Sequence, residues 1–182
     1  MIPSPAFPTT VPELACETLH LRALTEADIP AWFARATDAE SADLAGDTIP
    51  ASIDRGTAWL ERHREQFRRQ AAIRWAILPT GAGHSVGTIG LAITLPTAEL
   101  GLVIARTHWN RGLATAAAQL VLQYAATHLA PAGLIAEIRA EVLQRNPASQ
   151  RLMEKLGFRL LRTIPDADPY NLYALPMPRE NK

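Results

Sequence analysis

The middle of the chain constrains the fold most, because three strand patterns follow one another there and a long helix pattern comes next. Residues 72–78, 86–95 and 99–105 are mostly apolar, and turn residues or prolines separate them. An alanine-rich helix is predicted over residues 111–129, and a further strand over residues 134–143. Strands that run consecutively and then alternate with helices predict a mixed sheet with helices on both of its faces.

The segments on either side supply the remaining elements. Ahead of the middle strands, the pattern indicates one strand near residues 19–24 and two helices that begin at Thr25 and Ser52, with an acidic loop over residues 37–50 between them. Behind the middle strands, a short helix and two final strands are predicted within residues 147–175. The order β-α-α-β-β-β-α-β-α-β-β is typical of an α/β protein of mixed α+β type.

The two ends of the chain depart from this pattern. Residues 1–15 contain several prolines and predict an extended, loosely held N-terminal arm. Residues 16–178 are then predicted to form a single domain, since their number suits one core. Residues 179–182 form a short C-terminal tail in this interpretation.

The charge balance narrows the possible partners. The 18 lysines and arginines equal the 18 aspartates and glutamates, so no overall electrostatic attraction favours nucleic acid or an acidic membrane. The N-terminus lacks the pattern of a secretory signal, and no apolar run approaches the ~20 residues that span a bilayer. Cys16 is the only cysteine, so no intrachain disulfide can form, which fits a reducing cytoplasm. We therefore expect a cytoplasmic protein, monomeric or homodimeric, without nucleic acid or a membrane as partner.

The segment from Trp109 to Thr115 joins the third middle strand to the long helix. At a helix start, successive backbone N–H groups lack an intrahelical partner, and the helix dipole adds to their attraction for an anion. Gly112 has no Cβ and Ala114 is small, so a phosphate can approach the main chain closely, and Arg111 can add a cation. The pattern equally fits an ordinary strand-to-helix turn, because its single glycine matches neither a P-loop nor a GxGxxG fingerprint.

A second polar segment follows the next strand. Asn146 suits the capping position of a helix, Pro147 the first helical position and Ser149 the first turn. The side chains of Asn146 and Ser149 are expected near the C-terminal ends of strands, where open α/β sheets bind ligands. A capped helix that simply returns the chain to the sheet explains the same residues.

Together these two segments resemble the GCN5-related N-acetyltransferase (GNAT) superfamily, and most of all its branch of ribosomal-protein N-terminal (alanine) acetyltransferases. The stretch from Glu99 through Thr115 aligns without a gap to that branch's Glu-x-Gly strand, Trp-x-Lys/Arg-Gly turn and Ala-Thr helix start. The stretch from Asn146 through Phe158 matches its second signature. The element order agrees with the resemblance over nearly the whole chain.

The resemblance implies a splayed, seven-stranded mixed sheet with acetyl-CoA in the opening between the strands at residues 99–105 and 134–143. The main chain of Val103 and Ile104 would pair with the amides of pantetheine. Asn146 would hydrogen-bond the pantetheine arm, and no metal ion would take part. The pyrophosphate would rest on the N–H groups of Arg111, Gly112, Leu113, Ala114 and Thr115.

The resemblance also implies an activity, which is transfer of the acetyl group of acetyl-CoA to a primary amine by direct attack on the thioester. The acceptor would be the α-amine of a protein N-terminus or a small-molecule amine. An α-amine, with a pKa of ~7.7–8.0, is neutral far more often at pH 7 than a lysine amine at ~10.4. Glu99 is the candidate general base, and Ser149 is the candidate hydrogen-bond donor to the departing sulfur. Each of these roles has an open alternative. Glu99 is then only a solvated carboxylate on a strand, and Ser149 only a part of the helix cap.

Some residues depart from the family pattern. Arg106 stands where proline is usual, and Ala116 stands where a glutamate commonly follows the helix start. Met153 occupies a position where the wider superfamily often has a catalytic tyrosine, and a thioether cannot donate a proton. These departures leave two further alternatives, a non-catalytic acyl-CoA-binding module and a transferase of a larger acyl group such as succinyl. The histidines show no spacing that indicates a metal site.

Overall fold

The computed structural model describes residues 7–178, and these residues build one open sheet of eight strands with helices on both faces. The strands, in chain order, are β1 (Leu14–Ala15), β2 (Leu19–Ala23), β3 (Ala72–Pro79), β4 (Gly87–Thr94), β5 (Thr97–Ile104), β6 (Glu137–Leu143), β7 (Arg159–Ile164) and β8 (Tyr170–Pro176). The α-helices are α1 (Ile29–Ala36), α2 (Ala39–Ala45), α3 (Arg55–Arg68), α4 (Leu113–Tyr124) and α5 (Pro147–Lys155). A π-helical turn over Ala125–Leu129 continues α4.

The sheet is mixed, and its order across is β1-β2-β3-β4-β5-β6-β8-β7. Every neighbouring pair is antiparallel except β5 and β6, which run parallel and pair only from Thr97 opposite Glu137 to Glu99 opposite Arg139. Beyond Glu99 the two strands diverge. The predicted splayed mixed sheet is therefore confirmed, with one strand more than the seven expected. The additional strand is β1, whose two residues are too few to produce an alternating pattern.

The larger core lies between one face of the sheet and α4. Trp75, Ile89 and Val121 are fully buried there, and the small residues Ala117 and Ala118 let α4 approach the sheet closely. A smaller core on the other face holds α1 and α3 against β3. Its buried members are Leu24, Trp59, Leu60, Ala76 and Leu78. Each large apolar side chain contributes ~1.5–3 kcal/mol on burial, so both layers of helices are firmly held, as the sequence predicts.

The described part of the N-terminal arm, residues 7–15, packs against the domain. Phe7 is buried, and its ring centre lies 5.1 Å from that of Phe67 in α3. The indole N–H of Trp75 donates a hydrogen bond to the Pro12 carbonyl at 2.7 Å. These contacts tie the segment to the domain more closely than its sequence leads one to expect. Residues 1–6 of the predicted arm and the predicted tail, residues 179–182, lie outside the described residues.

The segment predicted as an acidic loop over residues 37–50 contains a helix, α2, so that prediction is wrong. The Asp38 side chain accepts a hydrogen bond from the backbone N–H of Ser41 at 3.0 Å, which caps the helix. Gly46 ends it in the left-handed conformation, with φ +66°. Two of the residues that suggested a loop, Asp38 and Gly46, are in fact the ends of a short helix.

Candidate active site

A cleft of about 620 Å³ opens where β5 and β6 diverge. Its walls are the end of β5, the turn before α4, one side of α5 and one side of α2. Glu99 is not part of the lining. The other nine site residues predicted from the sequence all line it: Val103, Ile104, Arg111, Gly112, Leu113, Ala114, Thr115, Asn146 and Ser149.

The turn before α4 presents free backbone donors to the cleft. Gly112 takes the left-handed conformation, with φ +76°, and a Cβ at this position would meet no atom within 4 Å. Within the described chain, the N–H groups of residues 112–115 donate no hydrogen bond, and the first bond of the helix runs from Ala116 to Gly112. The Trp109 indole N–H donates to the Ile104 carbonyl at 2.7 Å and so fixes the turn on the end of β5. Four adjacent donors therefore stand open at a helix start.

The side chains around the cleft are cationic or neutral. Arg111, Arg151 and Lys155 line it, and no aspartate or glutamate does. Arg151 and Lys155 stand four residues apart in α5 and therefore share one face of that helix. This spacing is visible in the sequence, and it identifies two cleft residues beyond those predicted. A concave surface with this charge attracts a polyanionic ligand.

Asn146 caps α5 and links it to α2. Its Oδ1 accepts a hydrogen bond from the backbone N–H of Ser149 at 3.1 Å, and its Nδ2 donates to the Leu44 carbonyl at 3.1 Å. One amide N–H and one lone pair of Asn146 remain for a ligand. The Ser149 hydroxyl lines the cleft and has no hydrogen-bond partner among residues 7–178.

Glu99 lies on the sheet face turned away from α4, at the last position where β5 pairs with β6. Its neighbours Ala98 and Leu100 belong to the α4 core, which places Glu99 on the opposite face. Burial raises the pKa of the Glu99 carboxyl, repulsion by Glu141 raises it further, and Arg74 lowers it. The side chain remains exposed, so solvent reaches a carboxylate that the surrounding atoms partly desolvate.

Sequence reasoning missed two charged residues of this face, Arg74 in β3 and Glu141 in β6. Strand register alone brings them near Glu99, because Arg74 lies opposite Gly90, and Gly90 lies opposite Gly101. One signal for Arg74 is present in the sequence, since it is the single charge within the apolar strand over residues 72–78. Glu141 carries no such signal, because it alternates with apolar residues as any half-buried strand residue does.

Residues 7–178 contain neither a cluster of metal-binding side chains nor a membrane-spanning helix. No group of three or more His, Cys, Asp or Glu side chains is placed to hold a metal ion. No helix there has both the length and the apolar character that a membrane crossing requires.

Comparisons with known proteins agree with this geometry. Residues 18–159 match the family model described as acetyltransferase (GNAT) domain. The chain is 31% identical, over 179 residues, to the uncharacterized N-acetyltransferase YoaA of Bacillus subtilis (strain 168). That alignment covers 93% of this chain and 99% of YoaA.

Solved structures share the fold. The ribosomal L7/L12 alpha-N-protein acetyltransferase RimL, in complex with coenzyme A, has a TM-score of 0.78 at 18% identity, over 91% of this chain and 98% of RimL. Spermidine N-acetyltransferase from Vibrio cholerae, in complex with CoA and spermine, has a TM-score of 0.75 at 20% identity, over 89% and 97% of the two chains. The resemblance to the GNAT superfamily that the sequence predicts is thus confirmed. This chain belongs to the GNAT acetyltransferase family and is an N-acyltransferase.

Proposed function

We propose that the cleft between β5 and β6 binds acetyl-CoA and that the acetyl group passes to an amine held near Glu99. The start of α4 carries this proposal, because the N–H groups of residues 112–115 have no partner in the described chain. A pyrophosphate supplies oxygen acceptors for such donors, and the helix dipole favours its negative charge. Arg111, Arg151 and Lys155 add positive charge, and no carboxylate of the lining opposes them.

The edge of β5 offers a second point of attachment. After Glu99, β5 pairs with β4 alone, so its other edge has unpaired backbone groups. The amides of a pantetheine arm can add to this edge at Ile104, as a further strand would, whereas the N–H and C=O of Val103 point toward β4. Asn146 has an N–H and a lone pair left for the same arm.

The reaction is attack by a neutral amine on the thioester carbonyl. The C–N bond forms, the C–S bond breaks, the amine nitrogen loses a proton and the sulfur of CoA gains one. Glu99 accepts the amine proton, directly or through a water, and its raised pKa makes it a stronger base than an ordinary glutamate. Ser149 donates a hydrogen bond to the sulfur as negative charge develops there.

The acceptor in this proposal is a primary amine of a protein N-terminus or of a small molecule. The named structural neighbours include a protein α-N-acetyltransferase and a spermidine N-acetyltransferase, so the fold serves both classes. A cytoplasmic location, a monomeric or homodimeric state and a domain over residues 16–178 belong to the same proposal. The single cysteine, Cys16, is exposed and free, which suits a reducing compartment.

Two measurements test the proposal. Calorimetric titration with CoA should give saturable binding, and binding should weaken as salt is added, because the cleft is cationic. Incubation with acetyl-CoA and a panel of primary amines should release the CoA thiol and add an acetyl group to an amine, detected by its mass. Absence of CoA binding would contradict the cleft assignment. CoA binding without acetylation of any amine would contradict the transfer step.

A further inference from the structure

Three charged side chains enter the layer between the sheet and helices α1 and α3, and one of them has no partner in the described chain. Asp28 is buried and pairs with Arg22 at 2.7 Å. Arg35 is buried and pairs with Asp47 at 2.6 Å. Arg74 makes neither an ion pair nor a hydrogen bond with any of residues 7–178.

The Arg74 side chain lies in a trough formed by two glycines. In the strand register Arg74 is opposite Gly90, and Gly90 is opposite Gly101. A Cβ on Gly90 would lie 2.9 Å from the Arg74 Nε, and a Cβ on Gly101 would lie 3.4 Å from its Nη1. The side chain therefore extends from β3 across β4 to β5, and a larger residue at Gly90 would displace it.

The guanidinium in this trough carries an uncompensated charge. Its Nε is fully enclosed and has no acceptor, and burial lowers the pKa of Arg74. Asp47 and Glu99 attract it only from beyond ion-pairing distance, and Arg62 repels it. His63 in α3 adds no negative charge, and its pKa is lowered to about 4, first by burial and then by Arg74, so it is neutral at pH 7. Arg74 as a whole is half-buried, but its charge has no counter-ion in the described chain, so a bound anion would stabilise it.

We propose that Arg74 binds an anionic group, a carboxylate or a phosphate, carried by the acceptor amine; this rests on the transfer function proposed above. The Arg74 Nη1 lies beside Gly101, which is two residues from Glu99 on the same face of β5. That separation is about 7 Å along a strand. A guanidinium binds either anion through two parallel hydrogen bonds, while Glu99 faces the amine. The acceptor is therefore a small zwitterion such as an amino acid.

The first experiment compares matched acceptors by thiol release from acetyl-CoA. Unbranched α-, β-, γ- and δ-amino acids are assayed beside their carboxamides, and O-phosphoethanolamine is assayed beside ethanolamine. We expect at least one acid or phosphate to exceed its uncharged counterpart by roughly ten- to a hundredfold in kcat/KM, the scale of a hydrogen-bonded charge pair. The two arms distinguish a carboxylate from a phosphate as the preferred anion. Equal kcat/KM for charged and uncharged members, with acetylation still observed, would overturn this inference and leave the transfer function standing.

Variants then assign the preference to Arg74. Arg74→Gln should abolish it, and Arg74→Lys should keep part of it, because the charge remains but the paired hydrogen bonds do not. Arg69→Gln is the matched control, since Arg69 is an exposed arginine at the end of α3 that pairs with Glu65. The control should keep the full preference. A preference that persists in Arg74→Gln would overturn the assignment.

Thermal unfolding provides a readout that does not need turnover. Because Arg74→Gln removes an unpaired charge, its Tm without acceptor should equal or exceed that of the wild type. The amino acids and O-phosphoethanolamine should raise the Tm of the wild type and not that of Arg74→Gln. A large loss of Tm in Arg74→Gln would indicate a structural role and overturn the inference. So would a wild-type Tm that none of these compounds raises, even if no amine is acetylated.

Discussion

The two halves of the proposed site would recognise their ligands by different physical means. In the cleft, the donors are backbone N–H groups of residues 112–115, whose direction is set by the start of α4. On the acceptor face, which we define by Arg74, Glu99, Gly101 and Glu141, the groups are side chains from three strands and the gap that a glycine leaves. The first kind of site depends on a few consecutive residues, and the second depends on the register of a sheet. A fold built this way can keep its acyl donor while single substitutions change its acceptor.

The two halves also differ in the signs of the charges that they carry. The cleft has three cationic side chains and no carboxylate in its lining, so its potential has one sign. The acceptor face mixes a guanidinium with two carboxylates that repel each other. In the proposed function, the cleft therefore attracts CoA as a polyanion, whereas an acceptor must match both signs at defined places.

The largest effect is expected from a substitution at Gly112, in the half of the site that backbone N–H groups form. In Gly112→Asp a carboxylate would stand among the donors for pyrophosphate, in a backbone conformation that strains any side chain. CoA affinity, measured by calorimetry, should fall by at least about a hundredfold, because like charges placed together cost several kcal/mol. Gly81→Asp is the matched control, since Gly81 has φ +79° and equally open surroundings in the turn after β3. Unchanged affinity in Gly112→Asp would refute the assignment of the cleft.

The next effect tests the acceptor half at Glu99. Glu99→Gln should lower kcat by roughly a hundredfold, the scale of a lost general base, and leave CoA affinity unchanged. Glu99 acts as a base only when ionised, so the wild-type rate should fall as the pH drops through its pKa, which lies above that of an ordinary glutamate. This acidic limb of the pH–rate profile should be absent from the variant. Wild-type rates across the pH range would mean that another group takes the proton.

A smaller effect is expected at Ser149, which lines the cleft. Ser149→Ala removes the hydroxyl but keeps the backbone N–H that Asn146 caps, so Tm should change little. Turnover should fall by roughly ten- to a hundredfold, while KM for acetyl-CoA moves less, because charge develops on sulfur mainly as the bond breaks. Asn146→Ala is the structural comparison, since it should lose ~1 kcal/mol of stability with the cap. A large loss of Tm in Ser149→Ala with unchanged kcat would leave the serine as a helix residue only.

The smallest effect is expected within the acceptor face, from a substitution at Glu141. Glu141→Gln removes the like charge that raises the pKa of Glu99. The pKa of Glu99 should therefore fall, and the acidic limb of the pH–rate profile should move to lower pH. The plateau rate should stay close to that of the wild type. An acidic limb that does not move would show that Glu141 and Glu99 do not act on each other in solution.

The cleft can be predicted from the sequence because the residues that form it are close together along the chain. Nine cleft residues were found in three short stretches, since a strand end, a glycine turn and a helix cap each leave a mark over a few positions. The acceptor face offered only Glu99. Arg74 and Glu141 become neighbours of Glu99 through strand pairing, which no local pattern encodes. The helix α2 was missed for a related reason, because Asp38 and Gly46 are residue types that favour turns as well as helix ends.

The burial of Phe7 and the position of β8 determine how far this chain can be shortened without loss of its core. The family match covers residues 18–159, yet Phe7 before it and Tyr173 after it belong to the same core. A fragment with those limits would lose β1, nearly all of β7 and the whole of β8. It would also leave the indole N–H of Trp75 without its acceptor at Pro12. Such a fragment would retain every residue of the cleft and lack the packing that holds the cleft in shape.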